Sequence, residues 1–586
     1  MARGAVIAAP CPTAASVRPP TAARRRRRSS PARHTGGVEA DPSRSARPRR
    51  MMGAVSGIVA AVAGLAVAQL AAAAGRPEAS PVTAVGGAVV DLTPVAVREW
   101  AIRLFGTSDK LVLGLGILAA VAACAVGTGL LAVRHLPAAI AVTGGLGLVG
   151  ALAALSRPDA SWQDALPSLV GAAVSAGALY LLVTAGQRSR PAVTSQGRAS
   201  PGGTTPGGAP EMDRRGFGRL VVAFLAVSAG VGLGARRLGA HGSADATASR
   251  ARFVLPRPTV PAPPVPAGAD LKVPGLGPFL TPNQDFYRVD TALVVPRVDA
   301  DTWRLRIHGE GVTRPLTLDL RELLARPVVE HDITLTCVSN EVGGPYAGNA
   351  RWLGVRLGDL LREAGVRPPS RGGPADQLVA RSVDGMTIGT PVEAVMDGRA
   401  ALLAVGMNGR PLPFAHGFPV RMVVPGLYGY VSACKWLTEL RLTTFAAYDA
   451  YWVRRSWAQQ AAIKTQARID TPRPYAGLSP GRVAVAGVAW AQHRGIERVE
   501  VRVDGGAWQE ARLGASDGVD TWRQWVWPWE ATPGPHTLEV RATDGTGALQ
   551  TGTRTGTVPD GATGWHTVNV NVRALGGGPP AGADRQ

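Results

Sequence analysis

Five apolar runs near the N-terminus constrain this chain more than any other feature. Residues 54–74, 111–133, 137–155, 166–185 and 217–235 are built from Ala, Val, Leu, Gly and Ile with almost no charge. Each is about 20 residues long, the length at which an α-helix crosses ~30 Å of hydrocarbon. In hydrocarbon every backbone N–H and C=O must be satisfied within the segment, so such runs have to be helical. The reading is a membrane region over 51–237 with about five transmembrane helices. The stretch from Val82 to Lys110 differs. There Val95, Trp100, Ile102, Leu104 and Phe105 mix with Arg98, Glu99 and Arg103, which predicts an interfacial or loop helix.

The charge supports the same reading. The 586-residue chain carries a formal net charge of +21, which on one folded face would suggest a nucleic-acid partner. Much of it lies instead in Arg24 to Arg28, in Arg44 to Arg50 and in linkers beside the apolar runs, and no aromatic-interleaved basic patch accompanies it. The expectation is a lipid bilayer and no nucleic acid. Basic flanks mark the cytoplasmic side, so the N-terminus, the Arg134-His135 loop and the 187–215 linker should be cytoplasmic. Five spans then put everything after Arg237 outside a multi-pass cell-membrane protein. Residues 1–50 are expected to be a disordered basic N-terminus, with Met51 and Met52 as an alternative start, and 187–210 a Ser/Gly/Pro/Arg linker. Asp213-Arg214-Arg215-Gly216-Phe217 ahead of the fifth run has the form of a twin-arginine export signal; positive-inside flanks are a compatible reading. A Pro-rich linker at 238–270 follows, whose Pro-x-Pro repeats from Phe253 to Asp270 predict a semi-rigid spacer.

Beyond it the composition changes to that of folded domains. In 271–470, strands at Trp303–His308, Ile333–Thr336, Leu378–Ser382 and Val420–Val424 alternate with helices at Leu318–Ala325 and Leu357–Ala364. Asp384-Gly385 and Asn408-Gly409 are turn signals. This is an α+β region. In 471–575 the pattern is purely β: Val483/Val485, Val499/Val501/Val503, Trp525/Trp527 and Leu538/Val540 alternate with polar partners, which predicts a β-sandwich. Trp522, Trp525, Trp527 and Trp529 are assigned to its packing. Residues 576–586 are expected to be a disordered tail.

Four widely spaced cysteines form neither a disulfide framework nor a CxxC site. One of them, Cys337, ends the predicted buried strand from His331 and opens a Gly-punctuated loop bearing Ser339, Asn340, Asn349 and Arg351. Alone, it reads as an inert buried thiol or half of a disulfide with Cys434. Asp384 and Glu393 have nothing to bring them together as an acid–base pair.

The motifs around Cys337 carry a resemblance. Thr281-Pro-Asn283-x-x-Phe286-Tyr287-Arg288, Cys337-Val-Ser-Asn340, Ala350-Arg351-Trp352-x-Gly354, Met407-Asn408-Gly409, His416-Gly-Phe-Pro419-Val420-Arg421 and Lys435-Trp436-Leu437 stand in the order found in the sulfite oxidase family of molybdenum enzymes, over about 271–575. The C-terminal region resembles that family's immunoglobulin-like, dimerisation-type domain. The resemblance implies a molybdenum–molybdopterin cofactor with the Cys337 thiolate as metal ligand, a soft ligand apt for that metal. It further implies His416, Arg421 and the Ser432–Lys435 segment at the pterin phosphate, residue types suited to that task. Asn283, Phe286, Tyr287 and Arg288 would lie along the pterin, and Arg351 would face the metal's open position. Sulfite oxidases carry a tyrosine in the stretch matching Met386–Pro391 and arginines after the cysteine motif. This chain has no tyrosine there and has Glu341 and Val342, so sulfite by the usual anion pocket is not expected.

The expected protein is thus an N-terminal α-helical membrane region, an α+β sulfite-oxidase-like molybdopterin domain and a C-terminal immunoglobulin-like β-sandwich. It would perform two-electron oxygen-atom transfer on a small substrate outside the membrane. Histidine is nearly missing from the spans, only His135 standing at an edge, and no CxxCH occurs. No heme is therefore evident in this chain, and a separate cytochrome or quinone-linked electron carrier is expected. A homodimer through the sandwich is possible on the resemblance. The rival reading is a non-catalytic membrane-anchored surface binding protein in which the cysteine only packs. A transporter is disfavoured, because the spans lack intramembrane charges and broken repeats.

Overall fold

The structure, a computed structural model, describes residues 42–93, 97, 109–157, 160–187, 214–292 and 294–573. The expectations for residues 1–41, most of the 187–210 linker, most of 94–108 and the 576–586 tail lie outside the described residues.

The N-terminal region consists of α1 (Pro42–Ala74), α2 (Pro81–Leu92), α3 (Asp109–Ala132), α4 (Leu136–Leu155), α5 (Leu166–Gln187) and α6 (Arg214–Arg252). Five of them, all but α2, are long and apolar enough to cross a membrane. Glycines let their backbones touch. A Cβ on Gly57 of α1 would stand 2.0 Å from the Ala125 carbonyl oxygen of α3, the close approach that small residues allow between apolar helices. The short α2 buries Ala84 against Ala153 and Ala154 of α4. The connections following α1 and α4 meet at one end of the bundle, where Arg76 pairs with Asp164 at 3.0 Å.

The spacer expected over 238–270 is corrected in two ways. First, α6 continues past the fifth apolar run to Arg252, and near its end Arg250 donates to the carbonyls of Leu412 (2.8 Å) and Pro411 (3.0 Å). Second, the proline-rich segment pairs with β3 (Val328–Thr336). Thr259 N–H donates to the Val328 carbonyl (2.7 Å), and Glu330 N–H donates to that of Val260 (2.9 Å). The prolines remove only their own N–H groups, so the residues between them still satisfy an otherwise open sheet edge.

Two sheets build the central domain, the first mixed and the second antiparallel. The first contains β1 (Arg304–Gly309) and β2 (Leu316–Asp319) with β5 (Gln377–Ser382), β6 (Thr387–Pro391) and β10 (Leu437–Thr443), in the order β2-β1-β10-β5-β6. The second runs β3, β4 (Ala347–Arg356), β7 (Leu402–Met407), β8 (Arg410–Pro411), with β9 (Arg421–Val423) also pairing β7. Short helices α7 (Leu320–Leu324), α8 (Leu357–Glu363), α9 (Val392–Met396) and α10 (Gly429–Ser432) cover the edges. Asp319 starts α7 as a capping box with Glu322, the backbone N–H of each donating to the side-chain carboxylate of the other.

The C-terminal region is two sheets around one core. One is β11 (Gln466–Thr471), β13 (Gly481–Trp490), β17 (Arg523–Ala531) and β16 (Arg512–Leu513). The other is β12 (Gly477–Leu478), β19 (His566–Val572), β18 (Gly534–Asp544), β14 (Ile496–Val503) and β15 (Gln509–Glu510). Trp525, Trp527 and Trp529 alternate along β17 into this core. Trp522 does not. It packs in the central domain's core and donates through Nε1 to the Phe279 carbonyl, which corrects its assignment to the sandwich.

Candidate active site

β3 delivers Cys337 to the floor of a cavity. Ile333 and Leu335 are fully buried, and the strand pairs residue for residue with β4 from Val328↔Val355 to Thr336↔Ala347. Cys337 follows immediately. Its N–H donates to the Tyr346 carbonyl (2.9 Å), and the loop back to β4 is closed by Asn340 Oδ1 accepting from Tyr346 N–H (2.7 Å). The thiol is 8% exposed, and its sulfur accepts from the Ser339 N–H at 3.4 Å. Burial raises the Cys337 pKa, with opposing help from Ser339 and the Lys435 charge. Metal ligation would displace that proton outright. Neither Cys337 nor Cys434 is in a disulfide.

The structure brings Phe286, Tyr287, Cys337, His416, Arg421 and Lys435 around this cavity, which holds about 890 Å³ including the space open at its mouth. Phe286 stacks on Tyr287 (centroids 5.2 Å) and stands edge-on to His416 and Trp352. Arg421 lies over the Trp352 ring at 5.0 Å. Arg421 is 4% exposed, its Nη1 donates to the His416 carbonyl, and the buried Nε has no hydrogen-bond partner. Burial lowers its pKa to about 10. Lys435 is paired with buried Asp290 at 3.0 Å, and burial lowers it to about 8 despite that partner. His416 falls to about 4 through burial and the nearby Arg421 and Lys435 charges. It is therefore neutral at pH 7. Its Nε2 sits 3.1 Å from the Asn283 carbonyl, so Nε2 carries the proton and Nδ1 is left as an acceptor.

Other expected site residues stand nearby without lining the cavity. Asn283 donates to the Met407 carbonyl and accepts from Asn408, tying the 281–283 segment to the turn after β7. Arg288, half exposed, pairs with Asp290 at 3.4 Å. Ser432 is fully buried and donates to the carbonyls of Leu427 and Tyr428, fixing α10. Arg351 is a correction. It clamps Asp332 through Nε (2.9 Å) and Nη2 (2.7 Å) and reaches the Pro263 carbonyl, away from the cavity. Adjacent residues in a strand face opposite sides, and Trp352 holds the side beneath Arg421. Glu393 bonds Ser370, remote from Asp384, so the two carboxylates form no pair.

Sequence reasoning passed over Asp290, Asp384, Tyr430, Trp452 and Trp457, all of which line the cavity. Asp290 stands two residues from Arg288 and was the one locally visible signal. The aromatic residues come from loops with no period.

A resident group is testable against these residues. A buried guanidinium with an unpartnered Nε costs several kcal/mol unless an anion meets it. Arg421 beside Lys435 accordingly fits a phosphate-bearing group, while Nδ1 of neutral His416 is left to accept from a donor on that group. Among the described residues no cluster of three or more His, Cys, Asp or Glu could hold a metal. A metal at Cys337 would therefore bring most of its ligands with it, as a dithiolene cofactor does.

Residues 292–452 match the family described as oxidoreductase molybdopterin binding domain. Sulfite oxidase of Gallus gallus is 35% identical over 295 residues, covering 43% of this chain and 63% of that protein. Mitochondrial sulfite oxidase of Homo sapiens is 32% identical over 291 residues, covering 43% of this chain and 52% of that protein. Among solved structures, the sulfane dehydrogenase SoxCD from Paracoccus pantotrophus is 24% identical, covers 51% of this chain and 84% of that chain, and has a TM-score of 0.43. The chain spans between half and two thirds of the length of these two sulfite oxidases. Fold and site thus define a molybdopterin-binding oxidoreductase domain. Through it the chain is similar to the sulfite oxidases over about two fifths of its length.

Proposed function

We propose that this chain is a membrane-anchored, outward-facing molybdopterin-dependent oxidoreductase that performs two-electron oxygen-atom transfer on a small substrate, with the Cys337 sulfur as the protein's ligand to molybdenum. The observation that carries the reading is the buried Arg421, whose Nε lacks a partner in the cavity that holds the Cys337 thiol. The molybdenum cofactor would supply the redox step when bound. The chain's own residues have the remaining tasks. Arg421 and Lys435 would hold its phosphate, His416 would accept a hydrogen bond at Nδ1, Phe286 and Tyr287 would supply an aromatic surface, and Asn283 fixes the His416 tautomer through its carbonyl. Tyr287, its pKa raised by burial, stays a hydroxyl donor.

The membrane part of the reading rests on five apolar helices and the basic Arg134–His135 and 187–215 segments. Arg214-Arg215 opening the fifth helix is read as a twin-arginine signal, a route suited to a domain that folds around its cofactor before export. Electrons pass to or from a separate carrier, and the sandwich, read as immunoglobulin-like, supplies a homodimer contact.

Molybdenum and pterin analysis of the purified full chain tests the proposal, followed by a screen over sulfite, sulfoxides and N-oxides. One molybdenum per chain, lost in Cys337→Ser, is expected. Wild-type protein without molybdenum, or a Cys337→Ser variant that keeps it, overturns the reading.

A further inference from the structure

The membrane region reaches the segment behind the candidate active site through the Asp91 carboxylate. Asp91, near the end of α2, accepts a hydrogen bond from the Tyr451 hydroxyl. It also pairs with Arg455 at 3.0 Å and with Arg157, just past α4, at 3.5 Å. The Arg455 guanidinium lies 3.6 Å over the Tyr451 ring, and its Nη1 donates to the Tyr451 carbonyl. Tyr451 adjoins Trp452 edge to face (5.0 Å), Trp452 meets Trp457 (6.3 Å), and Trp457 meets Tyr430 (5.7 Å). Trp452, Trp457 and Tyr430 form the aromatic wall of the Cys337 cavity.

We infer that Asp91 is a positioning residue for that wall, so that α2 completes the candidate active site from the membrane side. Within the central domain the 451–457 segment has one 3₁₀ turn at Val453–Arg455, the Tyr451 N–H donates to the Thr387 carbonyl (3.3 Å) and hydroxyl (3.2 Å), and Trp457 packs in the core. Removing Asp91 leaves two guanidinium groups, Arg157 and Arg455, facing each other without the charge between them. The segment then repacks, and the aromatic wall moves with it. The functional meaning of this clamp rests on the proposed role of the cavity; the clamp itself does not.

Hydrogen exchange by mass spectrometry on the full chain in detergent micelles tests it. Asp91→Ala should raise exchange in 451–457 about tenfold, equivalent to ~1.4 kcal/mol of local stability, while 328–336 stays unchanged. Asp91→Glu should restore most of the protection. Tyr451→Phe should be slower to exchange than Asp91→Ala and add nothing to it in the double variant. Unchanged exchange in Asp91→Ala, an equal rise across the whole central domain, or a failure of Asp91→Glu to rescue overturns the inference. Molybdenum content measured on the same preparations separates the two readings: metal-free wild type with the exchange response intact removes the cofactor proposal and leaves the clamp standing.

Discussion

Gln492, two residues past the sandwich strand β13, donates through Nε2 to the Thr334 carbonyl at 2.9 Å, three residues before Cys337. The same amide reaches Thr336 Oγ1 at 3.0 Å, and the Thr334 N–H donates to the Asp520 carbonyl at 2.9 Å. The sandwich thereby supplies the pairing that the outer edge of β3 would otherwise lack. Replacing Gln492 by Ala should cost about 2 kcal/mol, because it strands a buried carbonyl. Thermal unfolding of the purified chain checks this; an unchanged midpoint would mean that water replaces the amide freely.

The loop after Cys337 is braced from the same side. Gly343 has φ +80, and a Cβ there would stand 2.1 Å from the His566 ring, while Arg468 holds the Gly344 carbonyl at 2.8 Å. Gly343→Ala should therefore cost more than the ~1–2 kcal/mol of left-handed backbone alone. Gly398→Ala, at φ +104 with open space around it, pays only the backbone part. Chemical denaturation of the two variants should rank them in that order.

His566 also predicts a pH dependence. Burial and the Arg468 and Arg554 charges lower its pKa to about 4, and its Nδ1 accepts from the Ile469 N–H at 3.0 Å, a bond only the unprotonated nitrogen can accept. The unfolded chain binds this proton near pH 6.5 and the folded chain only near 4. Stability is thus fully present above about 6.5 and is lost as pH falls toward 4, by an amount on the order of 3 kcal/mol. His566→Asn should flatten unfolding midpoints across that window; an undiminished slope would assign the proton elsewhere.

Arg421 should change sign with the state of the protein. Without an anion, Arg421→Met removes a buried, poorly satisfied cation and should raise stability by about 1–3 kcal/mol. In protein purified with its cofactor, the same variant should lose cofactor on dialysis faster than wild type. Equal cofactor retention in the two would argue against a phosphate at this position.

The parts of this picture legible in the sequence were local. The five apolar helices need only composition and length. Cys337, His416, Arg421 and Lys435 sit in short motifs, and the folding of β3, β9 and the segment before β10 brings them to one cavity. Arg351 misled because proximity along a strand says nothing about facing, and Trp352 took the inward side. The proline segment was read as a spacer because its partner, the edge of β3, lies some seventy residues downstream and only the tertiary fold joins them. Trp452 and Trp457 had no period to mark them. Their place depends on where the chain after β10 crosses the mouth, and on a carboxylate in a helix far earlier in sequence.

One consequence follows from α6. Its 39 residues make a rod of about 58 Å, against ~30 Å of hydrocarbon, and its last turn is bolted to the central domain through Arg250. With Asp91 as a further fastening, the domain is tied to the helical bundle through both α6 and α2. In a bilayer its azimuth and tilt would be fixed. On the proposed membrane reading, a carrier diffusing in the same plane would meet one face of it, which turns the encounter from a three-dimensional search into a lateral one with orientation already chosen.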